Sequence, residues 1–171
     1  MQIRLAVALT LAIPGAAAAQ GLEAATPLYE MSKGWLVKSA DMITDANWSF
    51  KPTPSVRSFG ELIGHVADAN FMFCSIALGE KSPATQQFEK VTNRAAVVQG
   101  LKDAMAYCDK AYQIAPARLS EQVTLPFGNM KGNRLWVLMF NIAHNNEHYG
   151  NLVTYFRLKN MVPPSSQGSG M

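Results

Sequence analysis

Apolar residues in this chain recur mostly at helical spacing. From about 22 to 44, Leu28, Trp35, Leu36, Met42 and Ile43 are separated by polar positions, which predicts one face of an amphipathic helix. Pro52 and Pro54 break the pattern between 45 and 55. Ser58-Phe-Gly-Glu61 then carries a capping box, in which the serine oxygen and the glutamate satisfy free backbone donors at a helix start. The helix it opens bears Phe59, Leu62, Ile63, Val66, Phe73 and Ile76 and should end near Leu78-Gly79. A polar stretch over 80–90, containing Pro83, reads as a loop.

Thr92 or Asn93 can cap a third helix, whose stripe is Val97, Leu101, Ala104, Met105, Cys108 and Tyr112 and which stops before Pro116. Between Ala117 and Asn133, Pro126, Gly128 and Gly132 surround a β-prone run, Val123-Thr-Leu125, expected as an ordered loop or small hairpin. The last helix, about 134–160, opens on Leu135-Trp-Val-Leu-Met-Phe140, apolar on every side, and is expected to be the most buried of the four. The pattern as a whole predicts an all-α four-helix bundle with a short hairpin-like loop before the last helix.

The first twenty residues stand apart. Arg4 gives a short positive region, Leu5 to Ile13 is apolar, Pro14-Gly15 breaks the run, and Ala16 to Ala19 are small residues of cleavage-site type. Residues 1–20 are therefore expected to be a cleavable secretory signal, cut near Ala19; an uncleaved anchor is the competing reading, but the apolar run is too short to span a bilayer. The bundle should occupy 21–162, followed by a small, polar and mobile tail over 163–171. Export implies a periplasmic or secreted protein.

Charge excludes some partners. The full chain has a formal charge of +3, and removal of Arg4 leaves it at +2, with the remaining basic residues scattered. Nothing in that balance points to nucleic acid or to an anionic membrane surface. Cys74 and Cys108 lie in apolar-periodic segments; a bridge between them and two free buried thiols are both open readings. Pairing of two copies through the first helix, at Trp35 and Leu36, is weighed against core packing of the same residues.

Candidate chemistry lies in the three histidines. His144 and His148 are four residues apart, so on a helix both imidazoles leave one face. Asn141, His144, His148 and Asn151 fall within about 80° of one another around the helix axis. Buried polar groups on one face need a common partner, and a metal with bound water is one. His65 lies on the second helix, where a bundle can bring it opposite the pair. Three neutral imidazoles with an open fourth position are the ligand set of a catalytic zinc. Glu61 and Asp68 flank His65 as candidates to hold its second ring nitrogen. Core or surface histidines that never touch a metal are the plainer alternative.

Leu62-Ile-Gly-His65-Val-Ala-Asp-Ala, then His144-Asn-Asn-Glu-His148-Tyr-Gly-Asn151, with Tyr155-Phe-Arg-Leu158, Val162-Pro-Pro164 and the loop Thr124-Leu-Pro-Phe-Gly128, resembles the DinB/YfiT family over nearly the whole mature chain. The resemblance implies a four-helix bundle that binds one divalent metal, zinc first and nickel second, through His65, His144 and His148. Tyr149 and Asn151 depart from the histidine and glutamine that relatives often carry there. The family includes thiol-dependent S-transferases and mycothiol-dependent isomerases, so the resemblance implies a small-molecule substrate or thiol as partner. The expected function is a metal-dependent hydrolase or thiol S-transferase, with Glu61, Asp68 and Glu147 as candidate general bases; a non-enzymatic metal or small-ligand binding module needs the same ligands.

Overall fold

The computed structural model describes residues 14–168. Four long helices form the bundle: α1 (Pro14–Met42), α3 (Phe59–Leu78), α4 (Arg94–Ala111) and α5 (Arg134–Leu158), with a single-turn α2 (Asp45–Trp48) inside the proline-flanked break. Arg4 and the apolar run Leu5–Ile13 lie outside the described residues. α1 is continuous through the expected cleavage point, and Ala18 packs partly against the core. Among the described residues no helix is long and apolar enough to cross a membrane.

The helix ends follow their local chemistry. Ser58 Oγ accepts from the Glu61 N–H at 3.1 Å while Glu61 Oε2 accepts from the Ser58 N–H at 2.7 Å, completing the capping box. Gly79 closes α3 at φ 73°, a left-handed value that glycine adopts without a Cβ clash. Asn93 Oδ1 caps α4 by accepting from the Ala96 N–H at 2.9 Å, and Asn133 Oδ1 caps α5 by accepting from the Trp136 N–H at 2.8 Å.

Contacts between named pairs fix the topology. α1 and α5 run parallel, with Leu135 against Gly21 at one end and Trp35 stacked on Tyr149 at 4.9 Å near the other. α3 and α4 also run parallel, since Phe88 bridges Gly64 to Gly100 and Cys74 bonds Cys108 further along. α3 is antiparallel to α5: His65 meets His148, Asn70 meets Asn145, and Arg134 donates to the carbonyls of Ile76 and Ala77. That last contact satisfies acceptors that the end of α3 leaves free. Parallel neighbours α3 and α4 need a long return, and residues 79–93 supply it along the outside of the bundle.

Several expectations are corrected. The loop over 80–90 contains a 3-10 turn, Phe88–Lys90, whose Phe88 is buried between α3 and α4. α3, and not α5, is the most buried helix: the apolar opening of α5 spreads its side chains, with Leu135 over Gly21, Trp136 over Gly132 and Met139 54% exposed. The hairpin is present as β1 (Gln122–Thr124) paired antiparallel with β2 (Lys131–Asn133), Val123 opposite Gly132. The tail begins docked: Pro163 and Pro164 are buried, and the Ser165 N–H donates to the Tyr149 hydroxyl at 2.7 Å. Leu36 is fully buried, and Trp35 is half-buried with its ring stacked on Tyr149.

Candidate metal centre

α3 and α5 bring all three histidines to one point. His144 Nε2 lies 3.2 Å from Nε2 of His65 and 3.0 Å from Nε2 of His148. The three form a group whose ligand atoms all fall within 4.8 Å of one another and which can hold a metal ion. Imidazole nitrogens at about 2.0–2.1 Å from a tetrahedral zinc stand about 3.3 Å apart, so the observed spacings match an edge of that tetrahedron to within a few tenths.

The environment favours neutral rings. Burial, followed by the neighbouring His148, His65 and Arg57, pushes His144 down to about 3. Burial and His65 push His148 down to about 4, against a smaller upward pull from Glu147. Both imidazoles therefore carry a lone pair across the neutral range, the form that binds metal. His144 Nδ1 is buried and makes no hydrogen bond.

The carboxylate that holds His65 is one the sequence pattern missed. Glu89 Oε2 accepts from His65 Nδ1 at 2.9 Å, while Arg57 Nε donates to Glu89 Oε1 at 2.8 Å. Partial burial pushes the Glu89 carboxyl up, but the bonds from Arg57 and His65 outweigh it and hold it below the ordinary carboxylate value. An ionised carboxylate only accepts, so the His65 proton sits on Nδ1 and Nε2 is left free to ligate.

Asp68 acts one step further out. Its oxygens accept from the backbone N–H groups of Phe88 at 2.8 Å and Glu89 at 3.0 Å, tying down the turn that carries Glu89. Glu61 is engaged by the helix cap and by Lys51 at 2.7 Å. Neither touches His65 by hydrogen bond, which corrects both candidates. Asn151, exposed, reaches His148 Nδ1 only at 3.5 Å.

Buried amides brace the pair of helices behind the histidines. Asn70, Asn141 and Asn145 are fully buried, and Asn141 Nδ2 also donates to the Tyr112 hydroxyl at 3.3 Å. The disulfide Cys74–Cys108 sits beside them with Cα atoms 5.2 Å apart, which resolves the cysteine question in favour of a bridge.

Cavities open on both sides of the trio. One, of about 720 Å³, is polar and reaches His148 past Lys51, Arg57, Glu89 and Glu147. The other, of about 420 Å³, reaches His65 and His144 past Met72, Phe73, Phe127 and Phe140. Glu147 lines the polar cavity and makes no hydrogen bond or ion pair among the described residues.

The fold has solved counterparts. A DinB-like protein from Bacillus cereus superposes with a TM-score of 0.71 at 18% identity, over 83% of this chain and 95% of that one. A mycothiol-dependent maleylpyruvate isomerase and a mutant of it each superpose with a TM-score of 0.61 at 16% identity, over 77% of this chain and 59% of theirs. No curated protein matches the chain. The sequence profile described as the DinB superfamily matches residues 30–152, a span that runs from α1 to beyond the last histidine of the trio, and the chain belongs to that superfamily.

Proposed function

We propose that this protein is an exported metal-dependent enzyme, with His65, His144 and His148 holding one divalent ion, zinc before nickel, and with hydrolysis or thiol transfer as its reaction. The carrying observation is the convergence of three Nε2 atoms between two open cavities. A structural zinc is closed by four protein ligands, whereas three ligands beside accessible space leave a position for a reactant. An ion there supplies a Lewis acid, which brings the pKa of a water or thiol in the open position toward neutrality.

The chain's own residues do the rest. Glu89 fixes the His65 tautomer and ring orientation. Lys51 and Arg57 line the polar cavity in ion pairs with Glu61 and Glu89, so its wall presents charges of both signs to a polar part of the reactant. Glu147, alone of the three candidate bases, has an unengaged carboxylate on that cavity and is assigned as the proton acceptor.

Export draws support from the sequence of residues 1–20 and from the buried disulfide, a bond that persists in oxidising compartments. The thiol reading draws on the likeness in fold to the mycothiol-dependent isomerase; the hydrolytic one needs only water.

The test is metal analysis of the untagged mature protein beside a variant lacking all three histidines, followed by assays on ester, amide and epoxide panels and on thiol-plus-electrophile pairs. One ion per chain, lost in the variant, with metal-dependent turnover in one panel is the expected result. Stoichiometric metal without turnover would favour a metal-binding module, and absence of metal uptake would overturn the centre itself.

A further inference from the structure

The apolar cavity is not needed to hold an ion. α3 lines it with Ala69, Met72 and Phe73, α5 with Phe140, and the hairpin turn with Phe127, while His65 and His144 form its inner edge. Asp68, the only carboxylate in its wall among the described residues, has both oxygens taken by backbone N–H groups. The Phe73 ring meets Phe127, Phe140 and His144 edge-on, with centroids 6.2, 5.4 and 5.5 Å apart. Water in such a space finds few hydrogen-bond partners, so an apolar group that displaces it gains free energy.

Phe127 is the second observation. It is a large apolar side chain left 39% exposed beside this cavity, in a turn whose Gly128 and Asn129 both have positive φ, 62° and 48°. Asn is one of the few residues other than glycine that takes up this left-handed backbone readily, which suits it to the turn. A volume of about 420 Å³ is at the small end of organic ligand sites.

We infer that this cavity is the subsite for an uncharged apolar moiety of the substrate, a single aryl ring or an alkyl group of similar size, held against the His65–His144 edge of the centre. The inference rests on the proposed function for its catalytic meaning, but the affinity of the cavity for an apolar group does not require the ion.

Two arms test it. Zinc-loaded protein is titrated with acetohydroxamate and benzohydroxamate, which share a metal-binding head; the phenyl compound is expected to bind about tenfold tighter or more. Phe127→Asp, at an exposed turn position, should erase that preference while metal content and acetohydroxamate affinity hold, and Phe127→Leu should keep most of it. Equal affinities in the wild type, or an unchanged preference in Phe127→Asp, would overturn the subsite. In the second arm, metal-free protein is examined by fluorine NMR with 4-fluorobenzyl alcohol. Binding that Phe127→Asp removes supports the subsite even if no metal is ever taken up, a result that would end the metal reading alone; absence of binding overturns the subsite whatever the metal result.

Discussion

Asn70 and Asn145 form a reciprocal amide pair between α3 and α5: Asn70 Nδ2 donates to Asn145 Oδ1 at 2.8 Å, and Asn145 Nδ2 returns to Asn70 Oδ1 at 3.2 Å. Asn141 Nδ2 adds a third bond to the same Asn70 oxygen at 3.1 Å. Because Asn145 follows His144 directly, the pair sets the register in which His65 meets the α5 histidines. Asn145→Ala leaves a fully buried amide half-satisfied and should cost about 2–3 kcal/mol in chemical denaturation, with weaker metal binding as the register loosens. Unchanged stability would mean that the pair adds nothing beyond packing.

Glu89 should matter through His65. Glu89→Ala removes the acceptor on Nδ1 and is expected to lower metal affinity roughly 10–100-fold, with Glu89→Gln, which keeps an acceptor oxygen, in between. Competition titrations against a chromophoric chelator measure the order. Equal affinity in wild type and Glu89→Ala would show that the ring is held by packing alone.

The helices and the pairing of His144 with His148 on one face were legible because helical spacing and capping are local signals, whereas His65 joined them through the family resemblance. Glu89 was not legible, since its reach depends on a loop path set by a distant contact. Phe88, an apolar residue in a polar stretch, and glycines inside two helices were the available hints. Asn145 lies about 100° around the helix from His144, outside the stripe that the histidines define, and it is buried because α5 packs against two neighbours. Asn151, inside the stripe, is exposed because it faces the open polar cavity beside His148. The docked prolines of the tail escaped because composition alone suggested mobility, whereas proline rings lose little conformational freedom on packing.

Gly64 lets the Phe88 carbonyl lie directly on α3, where a Cβ would collide with backbone that cannot rotate away. Gly64→Ala should therefore cost about 1–3 kcal/mol and also displace Glu89 from His65. Combined with Glu89→Ala, its effect on metal affinity should be far less than additive, since both act through one hydrogen bond. Full additivity in that double-mutant cycle would separate the turn from the ligand.

The Cys74–Cys108 bridge closes a span of 34 residues that includes the whole crossover loop. Replacing both cysteines by alanine should lower stability by about 3–4 kcal/mol through the freedom regained by the unfolded chain. A loss much below this, read as a shift in denaturation midpoint at constant slope, would point to strain that offsets the constraint.

Acid should unfold the metal-free protein in a window set by histidine. His144 and His148 have folded-state values near 3 and 4, below the ordinary 6.5, so the folded form takes up their protons later than the unfolded form does. Their depressed values contribute stability that is fully present above about 6.5 and is lost as pH falls toward 4, with a limiting slope of about 1.4 kcal/mol per pH unit for each proton. Glu61 and Glu89 are held below the ordinary carboxylate value of 4.5, so their own losses begin lower, and the interval from 6.5 to 4.5 isolates the histidines. Urea midpoints across that interval should fall in the wild type and fall less in His144→Phe, whose ring takes no proton. Bound metal should hold the midpoint up until protons displace it, because it occupies the same lone pairs. A midpoint that stays flat from 6.5 to 4.5 in the metal-free chain would mean that the two imidazoles titrate in the folded protein much as they do in water.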